Sequence, residues 1–89
     1  MEIKHVDGRF YVETEGGDAE LLYRMDGGVM SIYHTFVPES ERGRGIAEKL
    51  AREAFGFAIK KGVKVRPDCP YIGYFLEKHV EFRRYADSV

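Results

Sequence analysis

The sequence is short of most features that would commit it to a special environment. It holds one cysteine, Cys69, in 89 residues. An internal disulfide is excluded, and a reducing compartment is the expected setting. No apolar run is long enough to cross a bilayer, and Met1-Glu2-Ile3-Lys4-His5 lacks the apolar core of a signal peptide. A cytoplasmic protein is the expectation, with no membrane partner. Net charge is -1 with both signs interspersed, so composition gives no pull toward nucleic acid or anionic membranes. The three histidines and Cys69 lack metal-ligand spacing, so no metal is expected. Internal repeats, linkers and low-complexity segments are missing as well.

What remains is an ordinary globular composition, 44% hydrophobic and 33% charged. The length fits one domain, residues 1–89, with one small core. Residues 1–37 read as β structure. Asp7-Gly8, Glu15-Gly16-Gly17-Asp18 and Asp26-Gly27-Gly28 are turn signals between alternating runs, so an antiparallel meander is expected. In the third run, Ala19, Leu21, Tyr23 and Met25 share a face. In the fourth, residues 29–37, Met30, Ile32, His34 and Phe36 share one face, and Ser31, Tyr33, Thr35 and Val37 the other. Both faces are bulky, which predicts a central strand covered on both sides.

Residues 47–61 read as the longest helix. Ile46, Leu50, Ala54 and Ala58, with Ala47, Ala51, Phe55 and Ile59, make a broad apolar face. Gly62 is a credible C-terminal cap. Residues 63–66 form a short strand, parallel to its neighbour because a helix lies between them. Pro70 suits the first turn of a second helix, with Asp68 or Cys69 as its cap, and Ile72, Phe75, Leu76 and His79 along one side. The tail, residues 80–89, offers Phe82 and Tyr85 for packing. The class is therefore α+β with a mixed sheet: antiparallel N-terminal strands, a strand–helix–strand crossover and a C-terminal helix.

The stretch with the most chemical content is Glu41-Arg42-Gly43-Arg44-Gly45-Ile46-Ala47, at the junction of the fourth strand and the long helix. The first N–H groups of a helix have no intrahelical partner, and the helix dipole favours an anion there. Glycine lets the chain turn tightly and approach a ligand. A phosphate-type ligand is expected. The Gly-Lys-Ser/Thr ending of a P-loop is not present, nor are the third glycine and following acid of a dinucleotide fingerprint.

Arg42-Gly43-Arg44-Gly45-Ile46-Ala47 resembles the (Arg/Gln)-x-x-Gly-x-(Gly/Ala) signature of the GNAT superfamily, the coenzyme A-dependent N-acetyltransferases. His34-Thr35-x-Val37-Pro38 before it and Pro67-x-Cys69-Pro70-Tyr71 after it resemble a small single-domain GNAT-like subfamily with a Cys-Pro-Tyr motif. The resemblance is close over residues 29–80 and extends to the N-terminal strands in pattern. It implies a truncated GNAT-like acyl-CoA N-acyltransferase fold without the N-terminal helices. It implies that strands 29–37 and 63–66 splay apart and hold pantetheine between them. Backbone N–H groups of Arg42, Gly43, Arg44, Gly45, Ile46 and Ala47 then take the pyrophosphate of acetyl-CoA. Val37 offers backbone bonds to pantetheine, and the thioester points toward Cys69 or His34. The open acceptor pocket leaves room for a second subunit, as in a homodimer.

Many relatives of this type use a carboxylate on the central strand and a tyrosine on the last helix. Here Phe36 stands where the subfamily often has Glu, and the tyrosine register falls near Leu76, with Tyr71 and Tyr74 displaced from it. Two catalytic candidates remain. Cys69, at a helix N-terminus, has the position that raises thiolate content and permits covalent acetyl transfer, though a small buried apolar residue fits it as well. His34 suits a general base, or else a hydrogen-bonded structural histidine. His5 and His79 read as structural or exposed. Lys60, Lys61, Lys64 and Arg66 form a basic patch, either solvated or in contact with the coenzyme A 3′-phosphate; no aromatics are interleaved for nucleic acid. Two functions stay open: an N-acetyltransferase acting on a small amine or a protein lysine, and a non-catalytic or self-acetylating acyl-CoA-binding module. A nucleic-acid domain is a distant third.

Overall fold

The computed structural model describes residues 1–87. Ser88 and Val89, the end of the expected tail, lie outside the described residues. Five strands form one sheet in sequence order: β1 (Lys4–Val6), β2 (Arg9–Thr14), β3 (Gly17–Asp26), β4 (Val29–Phe36) and β5 (Lys64–Pro67). The first four are antiparallel, and β5 runs parallel to β4. The turn between β3 and β4 shows why the meander forms there. Gly27 and Gly28 have φ of 58° and 83°, the successive positive values that a tight hairpin matched to strand twist requires.

Helix α1 (Ile46–Lys61) crosses one face of the sheet and buries Ile46, Leu50, Ala51, Ala54, Phe55 and Ala58. The small alanines let the helix approach the strands, and Phe55 fills the space that remains. Gly62 ends the helix at φ 74°. Its N–H reaches the Ile59 carbonyl at 3.1 Å while Val63 N–H reaches Ala58 at 3.0 Å, the paired bonds of a Schellman cap. Helix α2 (Pro70–Lys78) packs on α1 through Phe75, whose ring lies 5.6 Å from Phe55. A 3₁₀ segment (Val80–Tyr85) brings Phe82 against both rings, at 5.2 and 5.3 Å. The tail then returns to β5, where Asp87 N–H donates to the Val65 carbonyl at 2.7 Å and covers the sheet edge. No described helix is long and apolar enough to cross a membrane.

The main departure from expectation is in β4. Leu22 pairs with His34 but Tyr23 pairs with Ile32, so Tyr33 is an extra residue, a β-bulge. The bulge splits the face expected for Met30, Ile32, His34 and Phe36. Met30 and Ile32 are buried under α1, but beyond the bulge Thr35 takes the core side, opposite buried Leu21. His34 and Phe36 turn outward, opposite Leu22 and Glu20. The strand is thus covered on both sides only over 30–32, and Tyr33 and Phe36 are exposed. Met25 and Ile59, each at the end of an expected apolar face, are exposed.

Candidate active site

The site begins where β4 and β5 separate. Their pairing ends at Ile32 and Pro67, and the last bond runs from Asp68 N–H to the Ile32 carbonyl at 3.1 Å. Beyond it β4 continues to Phe36, and no described strand pairs with that side. The separation point is held by side chains. Fully buried Ser31 donates to Asp68 Oδ2 at 2.6 Å, and Arg66 Nε donates to the same oxygen at 2.9 Å. The Arg66 bond chiefly, then the Ser31 bond, holds the Asp68 carboxyl below its ordinary value.

That shift fixes a sign. A depressed carboxyl adds stability above the ordinary carboxyl range, near pH 4, and loses it as pH falls through the lower folded value. Wild type should therefore lose stability between about pH 5 and pH 3 more steeply than Asp68→Asn, which keeps an acceptor for Ser31 but no charge. Urea midpoints measured across that range check this; parallel curves would reject it.

Two open clefts meet along this opening. One, ≈ 450 Å³, runs beside the glycine loop and is lined by Val37, Arg42, Gly43, Gly45, Ile46 and Ala47, with Tyr71, Tyr74 and Lys78 of α2 opposite. The other, ≈ 300 Å³, shares Val37, Arg42, Ala47 and Tyr71 and reaches Thr35 and Phe36. Gly43 and Gly45 have φ of 83° and 77°. A Cβ on either would meet nothing within 4 Å, so backbone conformation and not crowding demands glycine. Gly45 caps α1 in this left-handed form, and no side chain caps the helix. The first-turn N–H groups are thus left for a ligand or solvent.

Six of the seven residues expected to bind the cofactor line this opening; Arg44 does not. Its guanidinium is tied to Glu41 at 2.8 Å and lines a separate cleft on the β2 side of the loop. Arg42 folds back so that Nε donates to the Val37 carbonyl at 3.0 Å. The carbonyl expected to meet pantetheine is therefore already engaged.

Cys69 and His34 are not brought together. Cys69 directly precedes α2, is buried, and its Sγ donates to Thr35 Oγ1 at 3.4 Å. Thr35 lines the smaller cleft, and Cys69 does not. His34 lies on the opposite face of the sheet, with Nε2 3.6 Å from Glu20 Oε2. Glu20 is also held by Arg9 at 2.8 Å. Alternation of neighbouring residues along β4 makes this inevitable once Thr35 faces Cys69. His5 shares a 2.6 Å hydrogen bond with Tyr23 and stacks on Phe10, a packing role. His79 lies against the Phe75 ring at 4.7 Å.

No residue of the basic patch lines either cleft. Lys60 and Lys61 close α1, roughly 20 Å from its start at about 1.5 Å per residue. Lys64 donates to the Arg84 carbonyl at 2.9 Å, and Arg66 is tied to Asp26 and Asp68. The α2 wall was the missed part. Tyr71, Tyr74 and Lys78 follow i, i+3, i+7 spacing, which places them on one helix face and was legible in the sequence. Burial raises the Tyr71 phenol above its ordinary value, so it stays protonated at neutral pH. No cluster of potential metal ligands occurs among the described residues.

A mixed sheet whose parallel strands part beside a glycine loop and a bare helix N-terminus defines the acyl-CoA N-acyltransferase architecture. A family model described as GCN5-related N-acetyl-transferase matches residues 9–85, and the chain belongs to that family. A GCN5-like protein from Staphylococcus aureus, solved by NMR in solution, superposes with a TM-score of 0.81 at 27% identity, over 99% of this chain and 89% of that one. Protein NATD1 of Homo sapiens is 37% identical over 62 residues, covering 68% of this chain and 55% of NATD1. Protein NATD1 of Danio rerio is 39% identical, also over 62 residues, covering 68% of this chain and 56% of that protein. The matches thus cover little more than half of these curated relatives.

Proposed function

We propose that the chain, as a single domain spanning 1–89, binds acetyl-CoA and transfers its acetyl group to an amine, on a small molecule or a protein lysine, in the cytoplasm. The observation that carries this is the continuous opening from the glycine loop to Thr35, beside Cys69. The pyrophosphate takes the N–H groups of the loop and first turn of α1, Arg42 to Ala47. Arg42 releases the Val37 carbonyl, and pantetheine occupies the free edge of β4. The thioester then lies near Thr35.

In the covalent route, rotation of Thr35 opens Cys69 to the thioester. Cys69 Sγ forms a bond to the acetyl carbon, the carbon–sulfur bond to coenzyme A breaks, and the thiol proton ends on the departing thiolate. The acceptor amine then attacks. A carbon–nitrogen bond forms, the Cys69 acyl bond breaks, and the amine proton returns to Sγ. In a direct route that bypasses Cys69, His34, oriented by Glu20, is the candidate base for an acceptor that reaches the thioester from the open face of the sheet.

A second reading, a self-acetylating or non-catalytic module, is favoured by two observations. Cys69 is buried and bonded to Thr35, and Phe36 lines the smaller cleft without a titratable group. Intact-mass measurement after incubation with acetyl-CoA, with and without an amine panel, separates the two. Transfer predicts one acetyl group on wild type that is discharged by an accepted amine and never forms on Cys69→Ser. A stable adduct that no amine removes supports the module. No amide shifts at millimolar acetyl-CoA would end both.

A further inference from the structure

The cleft beside the glycine loop has a charge arrangement that the loop alone does not explain. Its two acids are both compensated by cations outside it. Glu41 is tied to Arg44, and Glu48 to Arg52 at 3.1 Å. Neither Arg44 nor Arg52 lines the cleft. Its two cations, Arg42 on the loop wall and Lys78 on the α2 wall, form no direct ion pair among the described residues, and Lys78 acts on Glu48 only as a minor, longer-range influence. The Lys78 ammonium lies 5.5 Å from the Tyr74 ring, which holds it at the cleft rim. Acids held by guanidinium partners outside the cleft, and cations on facing walls that no direct ion pair engages, suit a ligand with anionic groups at two separate points. The loop and the start of α1 account for one of them.

We infer that Lys78 is a specificity-determining residue that takes a second phosphate of the ligand, apart from the diphosphate at the loop. This rests on the coenzyme A reading, and on that ligand the second phosphate is the ribose 3′-phosphate. Lys78 then makes the protein prefer coenzyme A to its 3′-dephospho form. The long, flexible lysine reaches it as a point charge, so arginine should substitute.

Calorimetric titrations with coenzyme A and 3′-dephospho-coenzyme A test this on wild type, Lys78→Gln and Lys78→Arg. Wild type should favour coenzyme A by roughly five- to tenfold. Lys78→Gln should bind both ligands alike, at the wild-type affinity for the dephospho form, with a weaker salt dependence. Lys78→Arg should keep the preference. Equal binding of the two ligands by wild type overturns the assignment, as does a preference that survives in Lys78→Gln. Either result leaves coenzyme A binding intact. If wild type binds neither ligand, the coenzyme A reading fails and this inference with it.

Discussion

Phe55→Ala should lower the free energy of unfolding by about 3–5 kcal/mol. Phe55 is fully buried on α1, and its ring meets Phe75 of α2 at 5.6 Å and Phe82 of the 3₁₀ segment at 5.2 Å. It therefore joins three elements, two of which follow the split in the sheet. Domains of this size hold roughly 0.05–0.15 kcal/mol of stability per residue, so the loss consumes a large share of the total. The alanines around it on α1 have no longer side chain to move into the void. Urea unfolding followed by circular dichroism measures the effect. Ile59→Ala, on the same helix but 41% exposed, serves as comparison and should change little. A loss at Phe55 no larger than at Ile59 would show that α2 and the tail are not anchored through this ring.

Gly45→Val is expected to weaken acetyl-CoA binding by at least about tenfold while leaving the fold intact. Gly45 sits at φ 77°, and a left-handed backbone costs a side-chain-bearing residue roughly 1–2 kcal/mol, more when it is β-branched. The loop can relieve that strain only by rotating, which turns the first N–H groups of α1 away from the cleft. Because a Cβ there meets nothing within 4 Å, the effect should track conformation and not bulk. Gly45→Asn, whose side chain tolerates the left-handed region, should then keep most of the affinity. Dissociation constants for the three proteins decide the matter. Equal weakening by Val and Asn would point to steric blockage and sink the conformational account.

Much of the architecture was legible because it depends on local rules. Asp7-Gly8 and Gly27-Gly28 mark hairpins, the alanine-rich face of α1 follows helical spacing, and Gly62 caps the helix it was expected to cap. The loop 42–47 was legible as a tight passage from strand to helix, since glycine supplies the positive φ found at 43 and 45. The charges around it were not. The pattern of alternating arginines does not say that Arg44 turns to Glu41 while Arg42 turns to Val37, and nothing local says that Lys78 ends beside the loop.

The bulge at Tyr33 shows the same limit in the strand. Period-2 alternation assigns His34 and Phe36 to the core face of Met30 and Ile32, and one extra residue reverses them. That insertion is defined only by the partner strand, through Leu22 and Tyr23. By itself, then, the sequence determined the order and kind of the elements, the glycine loop and the family resemblance, since each is written in contiguous residues. Only the tertiary structure decided which residues meet across the split. It set Thr35 against Cys69, sent His34 to the other face, and gave the cleft its α2 wall, because those relations are fixed by pairing and packing between segments distant in the chain.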